Sequence, residues 1–499
     1  MLVERLTLRS RYEPVEIMAW QAMAAVALVG LGGILRIYGA RGDLWLDEIW
    51  SLVLLEPVKS FGQIMWGINS DNNHVLNSMY LYMIGPNAAP ILLRGMSIAL
   101  GIATVVAAGL ILWRDGVLGA LCAMLLFAVS YPVVHYGSEA RGYSGLILFT
   151  LLALFFLQRE FSRPSWINRQ GFGLAIGLGL LSHLSMVIPA AAFGIWTLFV
   201  IWRRTAGLGK AAGNGFFILL PAFVWTIAIA GSVGYVALRY GFVVSVRSVP
   251  NKFAIGGLDP FDFTGAINAL GELIRLTVGL PDSVPAAVCF VGVMALILVS
   301  APVWRNRADR RFSLYVISVI ILPTAVLAAR VPNTQFPRYF LFSGIMFLLF
   351  IADLVTGAWL RGGLYRSAAA LTLTAIVCGN AISLYHFFSQ GRGHYSTAVS
   401  AMIESGWIVY GSDHDFRTPM VVNFYSHKRG IRADYIRIRD WCTNHPPDWY
   451  IVESPDDPIL AYTLANLTFP RCALRFRRTE TFSYWGLSGR QWVLYRRVN

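Results

Sequence analysis

The chain has 499 residues, of which 56% are hydrophobic and 14% charged, with a mean hydropathy of +0.57. A water-soluble domain is about a quarter charged, so this balance excludes an ordinary soluble enzyme and a disordered chain, and 5 cysteines are too few for a disulfide-stapled miniprotein. The formal net charge is +14, and lysine occurs only at 59, 210, 252 and 428, so the 41 basic residues are nearly all arginine. They cluster in short stretches between apolar runs, the mark of cytoplasmic loops rather than of a nucleic-acid face. Membrane lipids are therefore expected as partners and nucleic acid is not.

A bilayer span takes about 20 apolar residues. Eleven segments qualify in chain order, near 17–38, 91–113, 117–134, 143–158, 171–182, 185–202, 214–238, 285–303, 312–329, 340–358 and 367–388. The first is long enough to span and no A-x-A site follows it promptly, so it reads as an anchor rather than a cleavable leader. The weakest is 171–182, which is short. Arg5, Arg9 and Arg11 precede the first span; Arg114, then Arg159, Arg163 and Arg169, then Arg203, Arg204 and Lys210, then Arg305, Arg307, Arg310 and Arg311, then Arg361 and Arg366 fill alternate gaps. All fall on one side when 74–90, interrupted by Gly85, Pro86 and Pro90, lies on the outer surface instead of crossing. The positive-inside rule puts that side in the cytoplasm. The N-terminus is then cytoplasmic and the end of the chain periplasmic, in a bacterial inner membrane. The stretch 265–281 is amphipathic and reads as a second surface helix.

The composition changes near residue 390. Short β-like runs appear at 407–412, 448–454 and 491–497, with helix-like stretches near 394–405 and 457–465. The expected organisation is a polytopic α-helical membrane domain over 1–389 and a small periplasmic α/β domain over 390–499. Cys442 and Cys472 are the only cysteines of that second domain; a disulfide and two free thiols both stay open.

Charges at membrane depth are costly and point to function. D-L-W-L-D-E-I-W-S places Asp47 and Glu48 among tryptophans and leucines just after the first span. That pattern suits a general base with a positioning neighbour, or an N-terminal helix cap. His74 opens the surface helix, where it donates to an anion or simply caps. S-E-A-R-G-Y carries Glu139, Arg141 and Tyr143; the Arg141 fork suits phosphate, or pairs with Glu139. His183 and the P-R-Y run with Arg338 and Tyr339 lie at the same outer boundary. Singly, Arg338 suits generic lipid headgroups; together, these residues describe one outer cavity with an acidic corner and several cations. No P-loop, paired C-x-x-C or H-E-x-x-H supports nucleotide-driven transport or zinc hydrolysis.

The order of W-L-D-E-I-W-S (45–51), N-H-V-L-N-S-M-Y (73–80), S-E-A-R-G-Y-S (138–144), L-S-H-L-S (181–185) and P-R-Y-F (337–340) resembles the GT-C glycosyltransferases. The likeness is to the protein O-mannosyltransferase and aminoarabinose-transferase type, in the branch of the bacterial galacturonosyltransferases. It runs from about residue 17 to 358. It implies a polyprenyl-phosphate-sugar donor, transfer on the outer face and a glycan or lipid acceptor such as lipopolysaccharide. In residues it implies Asp47 as catalytic base, Glu139 as the second acidic position and His74 beside the donor phosphate. No cofactor is implied as required; a divalent cation, Mg or Mn, near Asp47 and Glu139 stays open. Val75 and Gly142 stand where relatives carry proline. A lipid or glycan transporter and a non-catalytic binder of lipid-linked sugars are the alternatives.

Overall fold

The computed structural model describes residues 18–68, 70–205, 208–231, 235, 261–305, 311–403, 406–442, 446–453 and 464–498. Arg5, Arg9, Arg11, Arg307, Arg310, the 239–260 part of the long outer stretch and 457–463 lie outside the described residues.

Among the described residues, all eleven expected spans are helical over most of their length. The first part of the chain forms α1 (Ala19–Gly39), α2 (Leu46–Leu55), α3 (Val75–Ile84), α4 (Gly95–Leu112), α5 (Val117–Val129), α6 (Tyr131–Tyr136), α7 (Tyr143–Ser162) and α8 (Trp166–Ser182). It continues with α9 (Val187–Thr205), α10 (Leu208–Trp225), α11 (Phe263–Val278), α12 (Ala286–Arg305), α13 (Arg311–Ala328), α14 (Leu341–Arg361) and α15 (Gly363–Gln390). Among the described residues, seven helical stretches are long and apolar enough to cross a membrane by length and composition. The protein is therefore a multi-pass membrane protein. Expected spans 117–134 and 171–182 are the shorter helices α5 and α8, of 13 and 17 residues. The segment 74–90 holds α3, which stops at Gly85 with φ 84°.

The modest hydropathy of α8 comes from its glycines, and packing explains them. A Cβ on Gly173 would lie 2.6 Å from the Pro221 carbonyl carbon, so the α8 and α10 backbones touch. Small residues at such crossings replace the hydrophobic drive that lipid does not supply. The amphipathic helix α11 buries Ala266, Ala269, Leu270, Leu273 and Ile274 against α12, α14 and α15. It is thus one wall of the bundle, not a free surface helix.

After α16 (Tyr395–Ala401) the chain forms β1 (Trp407–Ser412), α17 (Arg417–His427), β2 (Arg432–Tyr435), β3 (Trp449–Glu453), β4 (Asn466–Phe469), β5 (Leu474–Phe482) and β6 (Trp492–Arg497). They build one sheet of order β2-β1-β3-β6-β5-β4. The first three strands are parallel and the remaining pairings antiparallel. The expected runs are β1, β3 and β6. The parallel strand β3 is buried throughout, as a strand covered on both faces must be. Cys442 and Cys472 are disulfide-bonded.

This sheet is docked on the membrane helices. Trp50 of α2 meets Phe416 edge-on at 5.7 Å, and the Tyr425 hydroxyl donates to the Leu44 carbonyl at 2.9 Å. Within the sheet, burial pushes the Glu453 carboxyl up to about 7, against the pull of Arg417 and Arg490. In the unfolded chain it titrates near 4.5. The folded state therefore holds a proton that the unfolded state has lost between these values, so stability falls as pH rises through the window. The expected loss from pH 4.5 to above 7 is on the order of 3 kcal/mol. Thermal melts of the wild type across this range should show it, and Glu453→Gln should flatten the slope.

Candidate functional site

Trp45 precedes α2, and the Glu48 side chain returns to the Trp45 amide (3.2 Å), closing the first turn. This turn aims two adjacent carboxylates in different directions. Glu48 is fully buried. It accepts from Arg94 Nε at 2.8 Å and Arg94 Nη2 at 2.6 Å, and from the Ala140 amide at 2.7 Å. Burial alone would raise its pKa, but the Arg94 charge and hydrogen bonds outweigh that and hold it below the usual carboxylate value. Arg94 also donates to the Ala40 and Asp43 carbonyls. The Glu48 oxygens are spent on tying α2, the 40–43 turn and residue 140 together, which is the part of a positioning neighbour to Asp47.

Asp47 turns the other way, toward Arg141 and Arg338. Its Oδ2 lies 2.9 Å from Arg141 Nη1 and 3.7 Å from Arg338 Nη1. Its backbone carbonyl accepts from Ser51 Oγ and from Asn72 Nδ2, both at 2.9 Å. Asn72 Oδ1 in turn accepts from Arg141 Nη2 at 3.0 Å. Asn72 thus fixes the helix that carries the carboxylate and the guanidinium that faces it.

Glu139 is fully buried behind Arg141, with Oε1 3.9 Å from Arg141 Nη1. Oε1 accepts from Trp45 Nε1 at 2.5 Å and Oε2 from Ser488 Oγ at 3.2 Å. Burial raises its pKa. Ser488 belongs to the loop between β5 and β6. The same loop donates the Leu487 amide to the Tyr131 hydroxyl at 3.0 Å and sets Trp485 against Tyr131 in a tilted contact at 4.8 Å. The sheet therefore supplies part of the wall behind the site.

His74 and His183 stack at 4.7 Å with an interplanar angle of 21°, and Tyr143 closes on His183 at 4.4 Å. The His74 side chain does not cap α3, which disposes of the capping alternative, and among the described residues its buried Nε2 has no hydrogen-bond partner. His183 Nδ1 accepts from the Ser185 amide at 3.1 Å, which leaves the proton on Nε2. Burial, then Arg141 and Arg338, pushes His183 down to about 3. Burial, then His183 and the two arginines, drives His74 well below its ordinary value. Burial and the two guanidinium groups thus disfavour a charge on either ring, and the positive charge of the site comes from Arg141 and Arg338.

Arg141 lies over the Tyr143 ring at 5.0 Å; Arg338 lies over Phe336 at 4.5 Å and Tyr339 at 5.8 Å. The turn between Arg141 and Tyr143 requires glycine. A Cβ at Gly142 would lie 1.7 Å from the Ser182 carbonyl oxygen, so α7 starts in direct backbone contact with the end of α8. That contact brings His183 to Tyr143.

The structure thus brings Asp47, His74, Glu139, Arg141, Tyr143, His183, Arg338 and Tyr339 into one neighbourhood, and sets Glu48 behind it. Sequence reading missed Asn72, Arg94, Trp45 and Ser488. The D-N-N-H run was the only local signal for Asn72, which precedes His74 by two positions. A cation shared by Asp47 and Glu139 would need the place that the Arg141 guanidinium fills. Among the described residues, no group of three His, Cys, Asp or Glu side chains is set to hold a metal. Lysine at 141 keeps the charge but loses the fork and its planar stacking.

No family model and no curated protein matches the chain. Among solved structures, ArnT from Cupriavidus metallidurans bound to undecaprenyl phosphate aligns with a TM-score of 0.52 and 12% identity, over 95% of this chain and 97% of that chain. An Archaeoglobus fulgidus oligosaccharyltransferase in complex with zinc and sulfate aligns at 0.47 and 11% identity, over 86% of this chain and 68% of that chain. The first likeness shows the fold: this chain has the GT-C architecture that its motifs resemble.

Proposed function

We propose that the protein is a glycosyltransferase that moves a sugar from a polyprenyl-monophosphate donor to a hydroxyl of an envelope glycan or lipid, such as lipopolysaccharide. The observation that carries this reading is Asp47 held at 2.9 Å from Arg141 and 3.7 Å from Arg338, in the neighbourhood of the stacked His74 and His183 rings. ArnT, of the same fold, was crystallised with undecaprenyl phosphate. That supports a polyprenyl phosphate as the lipid here.

In this reading Asp47 takes the proton of the acceptor hydroxyl as its oxygen attacks the anomeric carbon. The bond from that carbon to the phosphate oxygen breaks, and its electron pair leaves with the phosphate. Arg141 and Arg338, aided by the His183 Nε2 proton, hold the charge that builds there. A lipid phosphate leaves well without a strong general acid. A single displacement inverts the anomeric centre. Glu139 orients Arg141, and Glu48 supports the backbone. The guanidinium between the carboxylates already supplies the charge a metal would bring, so turnover is expected to persist in excess EDTA.

Residues 1–389 form the catalytic membrane domain and 390–499 the periplasmic domain in this account, in an inner membrane with a cytoplasmic N-terminus. The Cys442–Cys472 disulfide supports an oxidising compartment for the sheet. The test is reconstitution with a panel of undecaprenyl-phosphoryl hexoses and pentoses and an envelope lipid extract. Release of undecaprenyl phosphate with a new glycosidic product supports the transferase. Intact donor carried across the vesicle would support a transporter instead.

A further inference from the structure

A cavity lies beside α1, lined by none of the candidate-site residues. It has a volume of about 520 Å³ and opens between the last turn of α1 and the last turns of α15, at the end of the bundle that carries the sheet. Tyr38, Arg41, Asp43, Tyr385, Phe388 and His394 line it. Tyr38 and Tyr385 are 47% and 69% exposed, and Tyr38 packs on Phe388 at 6.0 Å. Exposed tyrosines at the ends of apolar helices mark the membrane–water boundary. The volume lies within the range of built ligand sites.

The charges are what distinguish this groove from ordinary lipid contact. Arg41 is exposed and lies 4.0 Å over the Tyr38 ring, so its guanidinium is fixed at headgroup depth. Asp43, two residues on, presents a carboxylate to the same cavity while its Oδ2 accepts from the Ser396 amide at 2.6 Å. A cation and an anion held apart at the interface complement a zwitterion. A phosphate suits the planar Arg41 fork, an ammonium with N–H donors suits Asp43, and the acyl chains run down the lipid-facing side of α1 and α15. The floor of the groove includes Arg392, which donates to the Gly39 and His135 carbonyls and to Ser138 Oγ. An occupant would therefore rest one residue behind the wall of the catalytic cleft.

We propose that this groove is a specific site for a phospholipid with a primary-ammonium headgroup, of the phosphatidylethanolamine type, separate from the donor site. The proposal does not depend on the transfer chemistry. The full chain, purified in mild detergent, is titrated with dioleoyl-phosphatidylethanolamine, -phosphatidylglycerol and -phosphatidylcholine and read by native mass spectrometry. The expected result is one retained phosphatidylethanolamine in preference to the other two. Arg41→Ala should weaken its retention about fivefold, and Asp43→Asn should abolish the preference over phosphatidylglycerol. Tyr385→Ala should weaken all three lipids, while undecaprenyl phosphate affinity stays unchanged in every variant. Equal retention of the three lipids by the wild type, undiminished retention in Arg41→Ala, or displacement of the lipid by millimolar inorganic phosphate would each overturn the assignment.

Discussion

Asparagine at position 47 is expected to cut sugar transfer on the order of 10³-fold and to leave folding and donor binding nearly intact. The side chain keeps its size and its place at the start of α2, because the contacts that fix this position use the Asp47 backbone carbonyl and not its carboxylate. What disappears is the proton acceptor beside Arg141 and Arg338. Loss of the carboxylate also frees both guanidinium groups, so undecaprenyl phosphate should bind as tightly as before or tighter. A fall in kcat with unchanged or improved lipid affinity is the result to look for. A variant that loses binding and turnover in parallel would place Asp47 in donor recognition instead.

The neighbouring substitution, Glu48→Gln, should behave in the opposite way. Glu48 and Arg94 are both fully buried, and their two contacts lie at 2.6 and 2.8 Å. Removing one partner of such a pair leaves an uncompensated buried charge and costs about 3–5 kcal/mol. The Arg94 charge would then face backbone carbonyls and a neutral amide in place of the carboxylate, and the turn at 40–43 would loosen. Glu48→Gln is expected to lower the thermal midpoint in detergent sharply, with transfer lost because the helix bearing Asp47 is displaced. Pairing it with Arg94→Met should restore much of the stability. Wild-type stability in the single variant would show that the pair does not hold the site.

These adjacent residues also show what the sequence could reveal. The D-E pair at 47 and 48 advertised a site, because two carboxylates among tryptophans and leucines need a reason. It did not say which carboxylate meets Arg141 and Arg338, because that depends on Arg94, forty-six residues from Glu48 at the start of α4. The cleft members near the ends of apolar runs were readable from motif order and topology. Asn72 and Ser488 were not, since a lone amide and a hydroxyl in a loop carry no periodic signal. Strands β1, β3 and β6 stood out as apolar runs. Strand β5 did not, because Arg475, Arg477 and Arg478 interrupt it, and its pairing with β6 decides its conformation. The four-residue β2 and the Pro419-bearing α17 have too little local pattern. The eleven helices were legible because hydropathy reports burial and lipid exposure alike. The stacking of His74 on His183 was not legible, because a contact between residues so distant in the chain is a tertiary fact.

The account rests on a lipid phosphate seated between Arg141 and Arg338 with Asp47 beside it. A cryo-electron-microscopy map of the full chain with undecaprenyl phosphate tests this most directly. The account predicts phosphate density within hydrogen-bonding distance of both guanidinium groups, next to the His74–His183 stack, with the Asp47 carboxylate facing the open side. Phosphate density elsewhere in the bundle, with the Asp47–Arg141 pair undisturbed, would contradict it.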